Sequence, residues 1–342
     1  MGNNGSKGMI HKSSYPDVSI PKKDIASFCF DAWENHLDKE LGVYGTRRVT
    51  YREVKTDAVK FACALSENYG VKKGDVVAMY APNSVEWIVA FYGILAAGGV
   101  VTTINPAYTP AEVTHQFHDS DPKIAIVSHA CESKILEVKH NIPSVKHVLV
   151  ICSDKEEDIN SEHVKFDAVV QQSRDDFKGP KIGHMELAVL PYSSGTTGVS
   201  KGVMLTHYNL VANCVQNVAA LGKEFTDPNG SLVAVLPFFH IYGMQIFLLN
   251  ALFTGCKISI MPKFDPMEFL RILGEEKVTI AFVVPPIINF LAKHPAVDKF
   301  VDKFKGSLKC VLSGAAPLGK ELGEAVSIRL GCTIKQGYGM TE

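Results

Sequence analysis

The stretch Asp75-Val76-Val77-Ala78-Met79-Tyr80-Ala81-Pro82-Asn83-Ser84 decides how this 342-residue chain is read. Its near-continuous apolar run predicts a strand covered on both faces, and Pro82-Asn83 closes it. Ser84 then stands as N-cap of a helix over 84–97, with Glu86 in the first turn. A second apolar strand is expected over 100–104. Strand, helix and strand in that order imply parallel pairing through a right-handed crossover.

Outward from this unit the alternation continues. A helix is predicted over 51–69, with Val54, Ala58, Phe61, Ala62 and Leu65 on one face. Helices over 109–117 and 131–140 separate strands at 124–128 and 147–152. The charged segment 153–181 reads as a surface connector with a short strand near 164–170. Beyond it, strands are expected at 187–190, 203–205, 232–236, 257–261, 279–284 and 308–313. Helices are expected at 207–220, 245–253, 266–274, 286–293 and 320–330. The fold class is therefore α/β, with two doubly wound, mostly parallel sheet lobes at about 50–180 and 181–342 behind a flexible leader, 1–23. Ligands of such sheets bind beyond the carboxyl ends of the strands. That gathers the loops after Pro191, Leu236, Ser313 and Lys335 around one cleft.

Composition narrows the class of function. The net charge is −1 with scattered basic residues, which excludes the footprint of a nucleic-acid binder. The eight cysteines form no C-x-x-C and read as buried thiols of a reducing, cytoplasmic compartment. The uncharged stretches 87–107 and 238–256 are interrupted by Gly98-Gly99 and by His240, Gln245 and Asn250. They are expected as buried helices feeding strands, with no transmembrane span. Met1-Gly2-Asn3-Asn4-Gly5-Ser6 fits the N-myristoylation pattern, and one acyl chain would give weak membrane association.

The most informative loop is Tyr192-Ser193-Ser194-Gly195-Thr196-Thr197-Gly198-Val199-Ser200-Lys201-Gly202. Its glycines let backbone N–H groups converge, its hydroxyls add short donors, and Lys201 adds positive charge. These features suit the β- and γ-phosphates of a nucleotide. The Walker spacing is absent, because the five-residue step from Gly195 lands on Ser200. A plain surface turn would need neither the lysine nor an apolar strand on each side.

Ser193-Ser194-Gly195-Thr196-Thr197-Gly198-x-x-Lys201-Gly202 resembles the signature loop of the adenylate-forming superfamily, which includes acyl-CoA synthetases, 4-coumarate:CoA ligases and beetle luciferases. Three further stretches are similar in order and spacing. They are Leu236-Pro237-Phe238-Phe239-His240-Ile241-Tyr242-Gly243-Met244, Ser313-Gly314-Ala315-Ala316-Pro317-Leu318-Gly319 and Gln336-Gly337-Tyr338-Gly339-Met340-Thr341-Glu342. The likeness runs from about Thr50 to the last residue, and is strongest to 4-coumarate:CoA ligase-like proteins.

The resemblance implies an acid–CoA ligase that uses ATP, Mg2+ and coenzyme A to make an acyl-adenylate and then a thioester. Thr196, Thr197, Gly198 and Lys201 would hold the leaving pyrophosphate, with Ser193, Ser194 and Gly195 of the same loop among the cofactor-binding residues. Gly314 and Ala315 would wall the adenine against Tyr338, and Ala316, Gln336, Gly337, Gly339 and Met340 complete the cofactor-binding set. Thr341 would meet the α-phosphate and Glu342 the Mg2+. His240 would stand beside the carboxylate or thioester, while Tyr242, Met244 and Ile246 shape the acyl pocket. Ile246 stands where coumarate ligases often carry a small residue, which leaves fatty acids open beside coumarate. Complete members add a small C-terminal domain with an adenylating lysine. The expectation is thus an incomplete AMP-binding domain over 24–342, a fragment or a weakly active product. A catalytically silent ATP- or AMP-binding module and a luciferase-like adenylating enzyme are the alternatives, and a peroxisomal address stays open for a longer protein.

Overall fold

The computed structural model of the chain describes residues 13, 15–153, 157–193, 200–222 and 227–342. The opening unit folds as expected. Strand β3 is Val76–Tyr80, the helix Val85–Ala96 is capped by Ser84 accepting from Trp87 N, and β4 is Val100–Thr103. All but the last residue of that helix are buried, so it reads apolar on every side. It runs between the lobes. On one flank Gly93 admits the helix Tyr51–Glu67, because a Cβ there would lie 2.7 Å from the Phe61 ring. On the other, Tyr92 donates from its hydroxyl to Leu248 O and Trp87 meets Phe238 edge-on.

The remaining strands, in chain order, are β1 Glu40–Tyr44, β2 Arg47–Thr50, β5 Ile124–Ser128, β6 His147–Ile151, β7 Val164–Lys165, β8 Leu187–Leu190, β9 Tyr192–Ser193, β10 Lys201–Gly202, β11 Leu205–Thr206, β12 Ser231–Ala234, β13 Lys257–Ile260, β14 Ile280–Val283, β15 Cys310–Ser313 and β16 Thr333–Gln336. Among the described residues they make two seven-stranded sheets and one ribbon. The first sheet runs β11-β8-β4-β3-β5-β6-β7 and the second β16-β15-β14-β12-β13-β1-β2, with β9 and β10 paired apart. Pairing within both sheets is parallel except at β2 and β11. One hydrophobic core draws on both sheets, and a smaller one lies under the helices Pro110–Ser120 and His129–Val138.

Several expectations needed correction. Sheet membership does not follow the chain division near 180. The β1–β2 hairpin precedes the first lobe in sequence yet joins the second sheet, β1 pairing parallel with β13. Conversely, β8 pairs with β4 of the first sheet. Residues 164–170 are only briefly a strand. Phe166, Val169 and Val170 bury one face of the helix Phe166–Gln171 instead. The strand expected at 203–205 is replaced by β10 and β11 on either side of Val203-Met204. The helix expected at 245–253 begins with the turn Ile241–Gly243 and continues as a π-helix, Met244–Ala251. The helices Ile25–Trp33 and Ala296–Phe304 were not anticipated. All eight cysteines are free thiols and only Cys152 is partly exposed. Among the described residues no helix is long and apolar enough to cross a membrane. The myristoylation motif lies outside the described residues.

Candidate active site

The chain leaves β12 at Ala234 and turns at His240 into the single helical turn Ile241–Gly243. The turn is tight: His240 N donates to Pro237 O at 3.2 Å and Met244 N to His240 O at 2.9 Å. Only glycine fits at 243, where a Cβ would stand 2.1 Å from Pro237 O. The imidazole Nδ1 accepts the N–H of Tyr242 at 3.1 Å. Nδ1 must therefore be bare, which puts the proton of the neutral ring on Nε2. Desolvation by the surrounding protein pushes the His240 pKa below its ordinary value, although the residue opens to the cleft. The ring is thus a neutral donor at pH 7.

Tyr242 comes next. Its ring lies flat enough against the 314 loop that a Cβ on Gly314 would fall 2.9 Å from Cε1, and its hydroxyl donates to Leu312 O at 3.4 Å. Burial raises the phenol pKa, so it stays protonated. Ala315 adopts φ +68°, a left-handed conformation in a non-glycine residue, which bends the loop after β15. Gln336 at the end of β16 accepts from Leu318 N at 3.1 Å. It acts as a strut for this loop. From there Gly337 to Glu342 run along the cleft, with the Tyr338 ring 91% exposed.

Two chambers adjoin here. One encloses about 620 Å3 and is walled by Tyr242, Ile246, Phe282, Gly314, Ala315 and Tyr338, with the helix His207–Leu221 opposite. The other, about 690 Å3, reaches Thr103, Asn105, Tyr192, Ser193 and Lys201. His240, Met340, Thr341 and Glu342 line both. The β9–β10 ribbon sets Ser193 opposite Lys201 at the edge of the second chamber. Ser193 Oγ donates to Glu342 Oε1 at 3.4 Å. Ser194, Gly195, Thr196, Thr197 and Gly198 lie outside the described residues.

Not every expected residue reaches a chamber. Met244 is fully buried in the core. Helical geometry explains this, since 242 and 246 share a face that 244 turns away from. Ala316 is exposed but in neither wall, and Gln336 is taken up by its bond to Leu318. Sequence reasoning missed Gln245 and the amides Asn209, Asn213 and Gln216 in the first chamber, as well as Thr103 and Asn105 in the second. The uncharged amides recurring at helical spacing on 207–221 were the available signal.

The donor set can be tested against a magnesium ion. Among the described residues no group of three or more His, Cys, Asp or Glu could hold a metal. Mg2+ is instead commonly held by one or two carboxylates, with phosphate oxygens and water completing its shell. Glu342 fits that role, with the Ser193 hydroxyl beside it.

The cleft lies at the carboxyl ends of parallel strands, where α/β sheets place their ligands, with Ser193 and Lys201 on one rim and a chamber of mixed lining behind. The chain belongs to the AMP-binding enzyme family, whose pattern matches residues 29–342. It is 37% identical to 4-coumarate–CoA ligase 1 of Solanum tuberosum, over 98% of this chain and 61% of that protein. Among solved structures, a long-chain-fatty-acid–CoA ligase from Archaeoglobus fulgidus superposes with a TM-score of 0.85 at 25% identity, covering 97% of this chain and 67% of that one. ATP-bound MatB from Rhodopseudomonas palustris gives a TM-score of 0.79 at 27% identity, covering 93% and 60%. The chain spans about three fifths of the length of the curated relatives it matches.

Proposed function

We propose that the cleft binds ATP and a carboxylic acid side by side and joins them as an acyl-adenylate, which the whole protein converts to a coenzyme A thioester. The observation that carries this reading is the shared wall. His240, Met340, Thr341 and Glu342 face both chambers, so an ATP reaching from the first chamber into the second and an acid lying in the first would meet at those residues. In the reaction a carboxylate oxygen attacks the α-phosphorus, the bond to the bridging oxygen breaks, and pyrophosphate leaves. The protein positions and stabilises charge. Its assignments are a neutral His240 donating Nε2–H to the acid, Tyr338 and Gly314-Ala315 enclosing the adenine, Thr341 at the α-phosphate, and Lys201 with the ribbon loop at the leaving group. Mg2+ held by Glu342 would neutralise phosphate charge. The first chamber's apolar walls at Ile246, Phe282 and Leu312 suit an aromatic or aliphatic tail.

The test is calorimetric titration with ATP and Mg2+, and with non-hydrolysable cinnamoyl and decanoyl adenylate mimics. Binding of one molecule per chain is expected, the better mimic exceeding ATP by about 100-fold because it carries the acyl tail and the nucleotide in one molecule. Comparing the two tails reads out the acid class. A folded chain that takes up neither ATP nor mimic overturns the reading.

A further inference from the structure

His240 sits on the second sheet's side of the cleft, yet the segment leading to it is held from the first. Asn83, 4% exposed at the end of the loop after β3, makes three hydrogen bonds across the boundary between the sheets. Its Nδ2 donates to Ala234 O at 3.2 Å and to Leu236 O at 2.9 Å, while Oδ1 accepts from Phe238 N at 2.7 Å. The partners fix the amide's orientation, because two carbonyls can only face the NH2 group and an N–H only the oxygen. One residue past Phe238, the carbonyl of Phe239 accepts from Oγ1 of Thr103, at the end of β4, at 2.7 Å. Thr103 is 3% exposed and lines the second chamber. Four bonds from two strand ends of the first sheet thus bind Ala234 to Phe239, the segment that ends at the reacting histidine.

Residues 234–239 have few other ways to hold their shape. Past the end of β12 at Ala234 they are neither strand nor helix, and they carry Pro237, which has no N–H of its own. Without Asn83 and Thr103 the bonds recorded at Leu236 O, Phe238 N and Phe239 O would be lost, while Ala234 O would keep the N–H of Met261 at 3.2 Å. Among the described residues the hydrogen bond made to the His240 ring is from the N–H of Tyr242 at the next bend. A change in the path of 236–239 therefore reaches the imidazole directly.

We infer that Asn83 and Thr103 are positioning residues that set the place and tautomer of His240, so that the first sheet controls a group belonging to the second. The functional part of this inference rests on the adenylation reading, but its geometric part stands apart from it. Histidine-selective nitrogen NMR of the intact chain decides the geometric part, with the His240 signal assigned from His240→Asn. In the parent chain the signal is expected to show a bare Nδ1 and a protonated Nε2. Asn83→Leu removes all three bonds at similar volume, and it should move the signal toward a mixture of tautomers. Thr103→Val, nearly isosteric, should do the same to a smaller degree and serves if Asn83→Leu does not fold. Tyr92→Phe is the control, since it deletes another buried bond between the lobes, to Leu248 O, away from 234–239. It should leave the His240 signal in place. If a folded Asn83→Leu or Thr103→Val keeps the parent tautomer, or if Tyr92→Phe shifts it equally, the inference is overturned. Pyrophosphate exchange on the longest available chain adds the functional readout: about a 10-fold fall in rate at unchanged half-saturation by ATP is expected. A parent chain without exchange or nucleotide binding defeats the adenylation reading and leaves the NMR comparison decisive for this one.

Discussion

Two glycines near the cleft tolerate no side chain, but for different reasons, and the difference separates stability from binding. At Gly243 the obstacle is backbone, the carbonyl of Pro237, which cannot step aside without undoing the turn at His240. Gly243→Ala is expected to destabilise the chain by about 3 kcal/mol, read as a lower denaturant midpoint. At Gly314 the obstacle is the Tyr242 ring, which can swing into the first chamber. Gly314→Ala should therefore cost under about 1 kcal/mol of stability while weakening nucleotide binding about tenfold, measured by calorimetry. Much at this scale was legible. Ser84 caps its helix as a polar residue before an apolar run should, and His240 follows a strand on the cleft side, as expected. Asn83 was visible only as the close of a strand. Its partners lie some 150 residues away, and nothing local announces them.

Elements with their own periodicity were read well, and those made by distant pairing were not. The boundaries of Ile124–Ser128 and Lys320–Leu330 agree with the sequence reading because each is a clean apolar or amphipathic run. The β1–β2 hairpin escaped notice. Its strands are short, contain Gly42, and acquire meaning only beside β13, more than 200 residues on. The helix Ile25–Trp33 is similar, being nine residues that gain stability by docking. Its first N–H, at Ile25, donates to Nδ1 of the buried His207 at 3.2 Å, at the start of the helix His207–Leu221. Burial pushes the His207 pKa below its ordinary value of about 6.5, and the nearby charges of Asp24 and Glu186 only partly oppose this. With the folded pKa below the unfolded one, the unfolded chain binds more protons at mildly acid pH. This contribution is full above the unfolded pKa and is lost as pH falls from there toward the folded value. His207→Asn, which keeps an acceptor near Nδ1 and cannot titrate, should flatten the slope of melting temperature against pH over that interval. An unchanged slope would assign the acid sensitivity elsewhere.

At the scale of the whole molecule the lobes share one core, so they are expected to melt together. Tyr51, on a helix of the first lobe, donates its hydroxyl to Cys256 O at the start of β13 at 2.6 Å. Tyr51→Phe should cost about 1 kcal/mol and lower the transition without splitting it, with far- and near-ultraviolet circular dichroism moving in step. Two separated transitions would show that the shared core does not bind the lobes cooperatively. The two chambers also have a partition in common, formed by His240, Met340, Thr341 and Glu342. Whatever arrangement of that partition one occupant prefers is imposed on the other. If nucleotide sharpens the affinity for acid by some factor, acid must sharpen the affinity for nucleotide by the same factor. Four side chains facing two ways thus turn a pair of pockets into a ledger that must balance, with the order of loading left to kinetics alone.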